Sequence, residues 1–217
     1  PRSEEEREER DPRTATQRSS PQQWLDSFEQ HREDLKRVGA YQGDDHALIS
    51  HAGKFGSILS PGKLKGLRNY AIKGGVEHEV FLPPQTGGKG PYVYKVTRPP
   101  TYRGLKFGFA PNVRSYVRYL NNMNAITGGE LDGKVMGVTM NGADPAIVTR
   151  YAYIRGTKPD PIDLEDKLIA RGWKQLEDNP NIYIHPRANL QLRDAHAGNF
   201  ILMPSGRIFP IDVHVDG

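Results

Sequence analysis

Cysteine is absent from the 217 residues, which excludes a disulfide framework, Cys-ligated zinc and thiolate catalysis, and fits a reducing compartment. Long apolar runs are missing too. No unbroken stretch exceeds four residues, as in Phe200 to Met203, against the roughly 20 that a membrane helix requires. Neither a span nor a signal-peptide core is present, so no membrane partner and a cytoplasmic location are expected. A strong charge of one sign is also lacking, because 30 Lys and Arg stand against 26 Asp and Glu, net +4. The first twenty residues hold five Arg and six acids, so residues 21–217 carry about +5. That excess fits an ordinary solvated surface or a phosphate-bearing partner, and no basic run gives a specific nucleic-acid signal. The chain opens at Pro1 without an initiator methionine, which suggests a domain excised from a longer protein.

What is present suffices for one globular domain with a core, or two small ones: 36% of the residues are hydrophobic. Twenty-three Gly and 17 Pro indicate many turns, and therefore hairpins and loops rather than a helical bundle. Residues 1–20 mix Glu-Arg blocks with Pro, Ser and Thr and have Ala15 as their one aliphatic, so they read as a charged linker or solvated helix. Residues 21–68 read as a helical extension. Ser20 as N-cap, Pro21 at the first helical position, and Trp24, Phe28, His31, Leu35 and Val38 at helical spacing predict an amphipathic helix that stops at Gly39. Its aromatic stripe reads as core or docking face. A shorter helix is expected from Asp45.

From Asn69 the pattern changes. Tyr70 and Ile72, then Gly74-Gly75, then Val76, Val80 and Phe81 predict strand, glycine turn and strand. A long hairpin loop from Pro83 to Pro91 leads to a third strand, Tyr92 to Val96. Pro111, Val113, Tyr116, Val117, Leu120 and Met123 predict a helix. Strands follow near Lys134 to Met140 and Ala146 to Tyr153, then a connector from Gly156 to Pro161 and a helix from Ile162 to Arg171. The order β-β-β-α-β-β, connector, α belongs to an α+β fold.

The segment from Asn189 to Gly217, N-L-Q-L-R-D-A-H-A-G-N-F-I-L-M-P-S-G-R-I-F-P-I-D-V-H-V-D-G, carries the chemistry. Two apolar runs, Phe200 to Met203 and Ile208 to Ile211, flank Pro204-Ser205-Gly206 and predict a hairpin. Asp194 and Asn199 precede it and Asp212 follows it, so the hairpin returns all three to one edge. Two carboxylates and an amide oxygen suit a hard cation such as Mg²⁺. The bland reading, a polar turn with Asx-type backbone bonds, stands beside that one.

Asp194 through Asn199 resembles the catalytic loop of the protein-kinase-like superfamily, H-R-D-x-x-x-x-N, and its local form D-A-H-A-G-N looks closer to the D-x-H-x-x-N of aminoglycoside and choline kinases. Asp212 resembles the metal-binding Asp of D-F-G. K-G-G-V-E-H-E-V-F, residues 73–81, stands where such proteins place a glycine-rich loop over ATP phosphates, and Lys95 in Y-V-Y-K-V where they place a phosphate-contacting Lys. With Y-V-R-Y-L-N-N-M-N and I-V-T-R-Y-A-Y-I-R-G, residues 70–217 are similar to the small kinase domain of polyvalent proteins from phages and conjugative elements.

The resemblance implies a protein-kinase-like bilobal fold within residues 69–217, with a five-stranded antiparallel N-lobe sheet over about 69–152 and a truncated C-lobe over about 157–217. It implies ATP and Mg²⁺ as cofactors and a phosphoryl group passed to a hydroxyl-bearing acceptor, protein or small molecule. Asp194 would orient or deprotonate the acceptor, His196 would orient the loop, and Asn199 and Asp212 would hold Mg²⁺. Gly74, Gly75, Val80, Lys95, Tyr151 and Tyr153 would bind nucleotide. Leu192 replaces the leading His and Val213-His214 replaces Phe-Gly. Residues 111–125 hold no acid to pair with Lys95, so either Glu77 or Glu79 substitutes or Lys95 is positioned differently. Two alternatives stay open: a nucleotide-binding module without turnover, and a metal enzyme built on the two D-x-H pairs, Asp194/His196 and Asp212/His214.

Overall fold

A computed structural model describes residues 19–72, 77–84, 92–98 and 106–216. Gly74 and Gly75, and most of the expected loop from Pro83 to Pro91, lie outside these residues. The chain divides into two compact units, one made of residues 1–118 and 133–152 and the other of residues 119–132 and 153–217.

The first unit opens with two helices. Helix α1 (Pro21–Arg37) begins in a capping box: the Ser20 hydroxyl accepts from the Gln23 amide at 3.2 Å, and the Gln23 side chain accepts from the Ser20 amide at 2.9 Å. Trp24 and Phe28 of its stripe are buried. They meet His51 of helix α2 (Asp44–Lys54) edge to face, with ring centroids 5.2 and 5.9 Å away. The aromatic half of the stripe is core packing, whereas Val38 at its far end is 71% exposed. A third helix, α3 (Pro61–Arg68), lies within the expected helical extension, although no separate helix is predicted there; it spans eight residues and its apolar face amounts to Leu64 and Leu67.

The sheet runs β1 (Ala71–Ile72), β2 (His78–Phe81), β3 (Tyr92–Thr97), β5 (Asp144–Ala152), β4 (Lys134–Asn141), and every neighbouring pair is antiparallel. This is the expected five-stranded antiparallel sheet of an α+β fold. Period-two alternation gives it two different faces. Phe81, Val96, Ala146 and Val148 form an apolar cluster closed by Leu64 of α3. Burying a side chain the size of Phe81 contributes about 2 to 3 kcal/mol. The opposite face carries the buried polar residues His78, Lys95, Thr97 and Thr149. At the β4 edge, the bulge at Gly137 lets the Ser57 backbone approach so closely that any Cβ there would collide with the Ser57 carbonyl. Segment 57–59 bonds along that edge through Val138 and covers it.

Helix α4 (Val113–Ile126) supplies residues 113–118 to the first unit and 119–126 to the second. The Asn112 side chain caps it by accepting from the Ser115 amide at 2.9 Å. The rest of the second unit begins with α5 (Pro161–Ile169), capped by Asp160, whose carboxylate accepts from the Ile162 amide at 2.9 Å. A second antiparallel sheet follows in the order β11-β8-β7-β6, made of β6 (Lys174–Leu176), β7 (Asn179–His185), β8 (Leu190–Arg193) and β11 (His214–Asp216). The expected hairpin is present as β9 (Phe200–Leu202) and β10 (Ile208–Pro210). Leu164, Leu168, Tyr183, Leu192, Phe200, Ile208 and Val213 are buried in this unit. Among the described residues, no helix is long and apolar enough to cross a membrane.

Candidate functional site

Two ladders bracket the loop from Asp194 to Asn199. β8 and β11 pair Arg193 with His214, so Asp194 leaves the sheet where residue 213 enters it. β9 and β10 pair Phe200 with Pro210, and the Ile211 amide donates to the Asn199 carbonyl at 2.9 Å. One short stretch, residues 211–214, therefore closes the loop at both ends, with Asp212 between the two closures. The hairpin turn accounts for half of this convergence. The β8–β11 pairing supplies the other half.

Within the loop, the Asn199 amide nitrogen donates to both the backbone oxygen and Oδ2 of Asp194, each at 2.8 Å. Both partners are acceptors, so the nitrogen is identified by its bonds and Oδ1 is the atom left for a cation. His196 Nδ1 accepts from the Gly198 amide at 3.0 Å, which puts the proton of the neutral ring on Nε2, 3.5 Å from Asp194 Oδ1. A Cβ on Gly198 would stand 2.9 Å from His196 Cε1 and 3.0 Å from Nδ1, so any larger residue there would have to push the imidazole aside. Asp194 has φ +55°, a left-handed conformation that costs a non-glycine residue energy and that clusters at functional sites.

Asp212 is half-buried, and one of its oxygens accepts from the Tyr119 hydroxyl at 3.3 Å. Burial lowers His214 below its ordinary value, while the carboxylates of Asp194, Asp212 and Asp216 pull it back up. Both candidate carboxylates thus act on the same imidazole. Asp194, Asn199 and Asp212 together present carboxylate and amide oxygens, the donor set that a hard divalent cation takes. Both His196 nitrogens are engaged within the loop, and among the described residues no three His, Asp or Glu side chains gather as a metal-holding group. Beside the loop, a cavity of about 390 Å³ is lined by His196, Gly198, Lys158, Glu165 and Asn181.

In the first unit, Lys95 is 7% exposed, and its ammonium stands 5.2 Å from the centroid of the Tyr151 ring. Val80 and Thr149 flank it on the neighbouring strands. A buried polar relay surrounds it: His78 Nε2 to the Tyr116 hydroxyl at 3.2 Å, that hydroxyl to Thr149 Oγ1 at 3.4 Å, and Thr149 Oγ1 to the Lys95 carbonyl at 3.3 Å. The fold thus brings Val80, Lys95 and Tyr151 together. Tyr153 falls in the second unit and is 38% exposed. Glu79, one of the two expected substitutes for a helix acid, pairs instead with Arg68 at 3.2 Å.

Sequence reasoning did not find Tyr119. It lies 93 positions from Asp212, and its helical spacing marks it only as one more apolar residue of α4. No protein-family model and no curated protein matches this chain.

Proposed function

We propose that this chain is an atypical phosphotransferase of the protein-kinase-like superfamily, which passes a phosphoryl group from ATP to a hydroxyl acceptor. The observation that supports this reading is the closure of the Asp194–Asn199 loop by residues 211–214, which brings the backbone on either side of Asp212 alongside the loop that carries Asp194 and Asn199.

In this reading Asn199 Oδ1 and the Asp212 carboxylate hold Mg²⁺, which when bound neutralises charge on the triphosphate. The Asp194 carboxylate is aimed by Asn199 on one oxygen and faced by His196 on the other. It takes the proton of the acceptor hydroxyl as the new O–P bond forms and the bond from the γ-phosphorus to the bridging oxygen breaks, releasing ADP. The cavity beside His196 receives the acceptor. In the same reading Lys95 contacts phosphate, with Val80 and Tyr151 beside it. The reaction belongs to the cytoplasm, where ATP and Mg²⁺ are supplied together.

A second reading, nucleotide binding without turnover, is favoured by one feature: helix α4 carries no acidic residue at all. ADP release measured with ATP and Mg²⁺, followed by mass spectrometry of the products, separates these readings. Phosphoryl addition supports the proposal, binding without release supports the second reading, and addition of a nucleotidyl group refutes phosphoryl transfer in favour of another chemistry at the same carboxylates.

A further inference from the structure

We propose that a basic cavity at the C-terminal end of α5 binds single-stranded nucleic acid. The cavity measures about 590 Å³ and is lined by Arg171, Lys174 and Arg187, with Ile169, Pro186 and His185 among its other walls. No carboxylate lines it. That is unexpected for this unit, whose residues 119–132 and 153–217 hold eight Lys and Arg against eleven Asp and Glu. Three of the eight cations converge on one concave site.

A helix C-terminus attracts cations by its dipole, and that accounts for Arg171, which also donates to the Ile208 carbonyl at 3.2 Å. It does not account for the other two. Lys174 comes from β6 and Arg187 from the turn after β7, so only the fold brings them to the same place. No basic run marks them in the sequence, where they lie at positions 171, 174 and 187.

The remaining walls suit a base. Ile169 is 51% exposed and Pro186 adds a second apolar surface. The His185 ring is held by two contacts: its Nδ1 accepts from the Ala188 amide at 3.2 Å, and Trp173 meets it edge-on with centroids 5.1 Å apart. Cations for phosphodiesters beside a fixed ring and apolar surface are the combination that binds unpaired strands without sequence preference. A volume of this order accommodates a nucleotide-sized group.

The test is fluorescence anisotropy of the full chain with a labelled single strand of about 12 nucleotides, across a salt series, beside the Lys174→Glu/Arg187→Glu double variant. Both side chains are exposed, and a thermal melt checks that the variant folds. The expected result is binding at least about tenfold weaker in the variant, with a plot of log affinity against log salt shallower by about 1.4, the value for two lost phosphate contacts. Equal affinity and slope in the two proteins, or no binding of the strand by the wild type, overturns the proposal. Displacement of the strand by inorganic phosphate as effectively as by AMP, at matched ionic strength, also overturns it, because the base would then contribute nothing.

Discussion

The side-chain nitrogen of Asn199 sits 2.8 Å from the backbone oxygen of Asp194 and 2.8 Å from its Oδ2, binding the two ends of a six-residue loop through one amide. Bonds to a charged partner contribute about 1.5 to 3 kcal/mol where water is excluded, and less at a surface. Asn199→Leu removes the donor and the metal-facing oxygen together. The expected outcome is a loss of about 1 kcal/mol in urea unfolding together with loss of ATP turnover. Full turnover in this variant would contradict the assignment.

Gly198 and His196 form one mechanical unit. Because a Cβ at 198 meets the imidazole at 2.9 to 3.0 Å, Gly198→Ala must displace the ring that faces Asp194. Turnover is expected to fall in Gly198→Ala and in His196→Ala, and the double variant should fall no further than His196→Ala alone. Additive losses would show that Gly198 acts through something other than the ring.

Lys95 is buried on the polar face of the sheet against Tyr151. Lys95→Met preserves length and apolar bulk while removing the charge. The sheet should therefore keep its melting temperature within a few degrees, about the shift expected for 1 kcal/mol. ATP affinity, read by calorimetry, should weaken by about tenfold or more. Unchanged affinity would remove Lys95 from the nucleotide site.

The aromatic packing of α1 on α2 carries a pH signature. Burial, aided by His31 and Lys54, pushes His51 down from 6.5 to about 4. The reason is local, because the ring has the Ser27 hydroxyl at 3.1 Å on Nε2, while Nδ1 is buried with no hydrogen-bond partner. The unfolded chain takes up a proton near pH 6.5 that the folded chain refuses until about pH 4. The stability from the neutral ring is thus complete above the unfolded value and is lost as pH falls through that window, by about 3 kcal/mol. Urea titrations from pH 7 to 4 should show that loss, and His51→Leu should flatten it. The same slope in both proteins would show that other groups cause it.

Legibility followed the length and regularity of the pattern. Helix α1 could be read in full because a cap, a proline and an apolar stripe agreed on one start. The five strands of the first sheet could be read because they alternate or run apolar between glycine and proline breaks. Helix α3 was hidden by its brevity, and β6 to β8 by their surroundings. β7 holds one short apolar run, Ile182 to Ile184, with no alternation, and its first three residues are exposed. Missing that sheet left the convergence of Asp194 with Asp212 resting on the hairpin alone, whereas the Arg193–His214 pairing secures it. Tyr119 and the cations of the basic cavity were illegible for a different reason. Their meaning arises from partners far away in the chain, and no local spacing encodes it.

The central claim is that Asp194 and Asp212 serve one Mg²⁺-dependent reaction, and the direct measurement is ADP formation by wild type, Asp194→Ala and Asp212→Ala at saturating ATP, each protein first shown to be folded by its thermal melt. The account expects Mg²⁺-dependent turnover in the wild type and a fall of about 10²-fold or more in each variant. Turnover at the wild-type rate in both variants would contradict it.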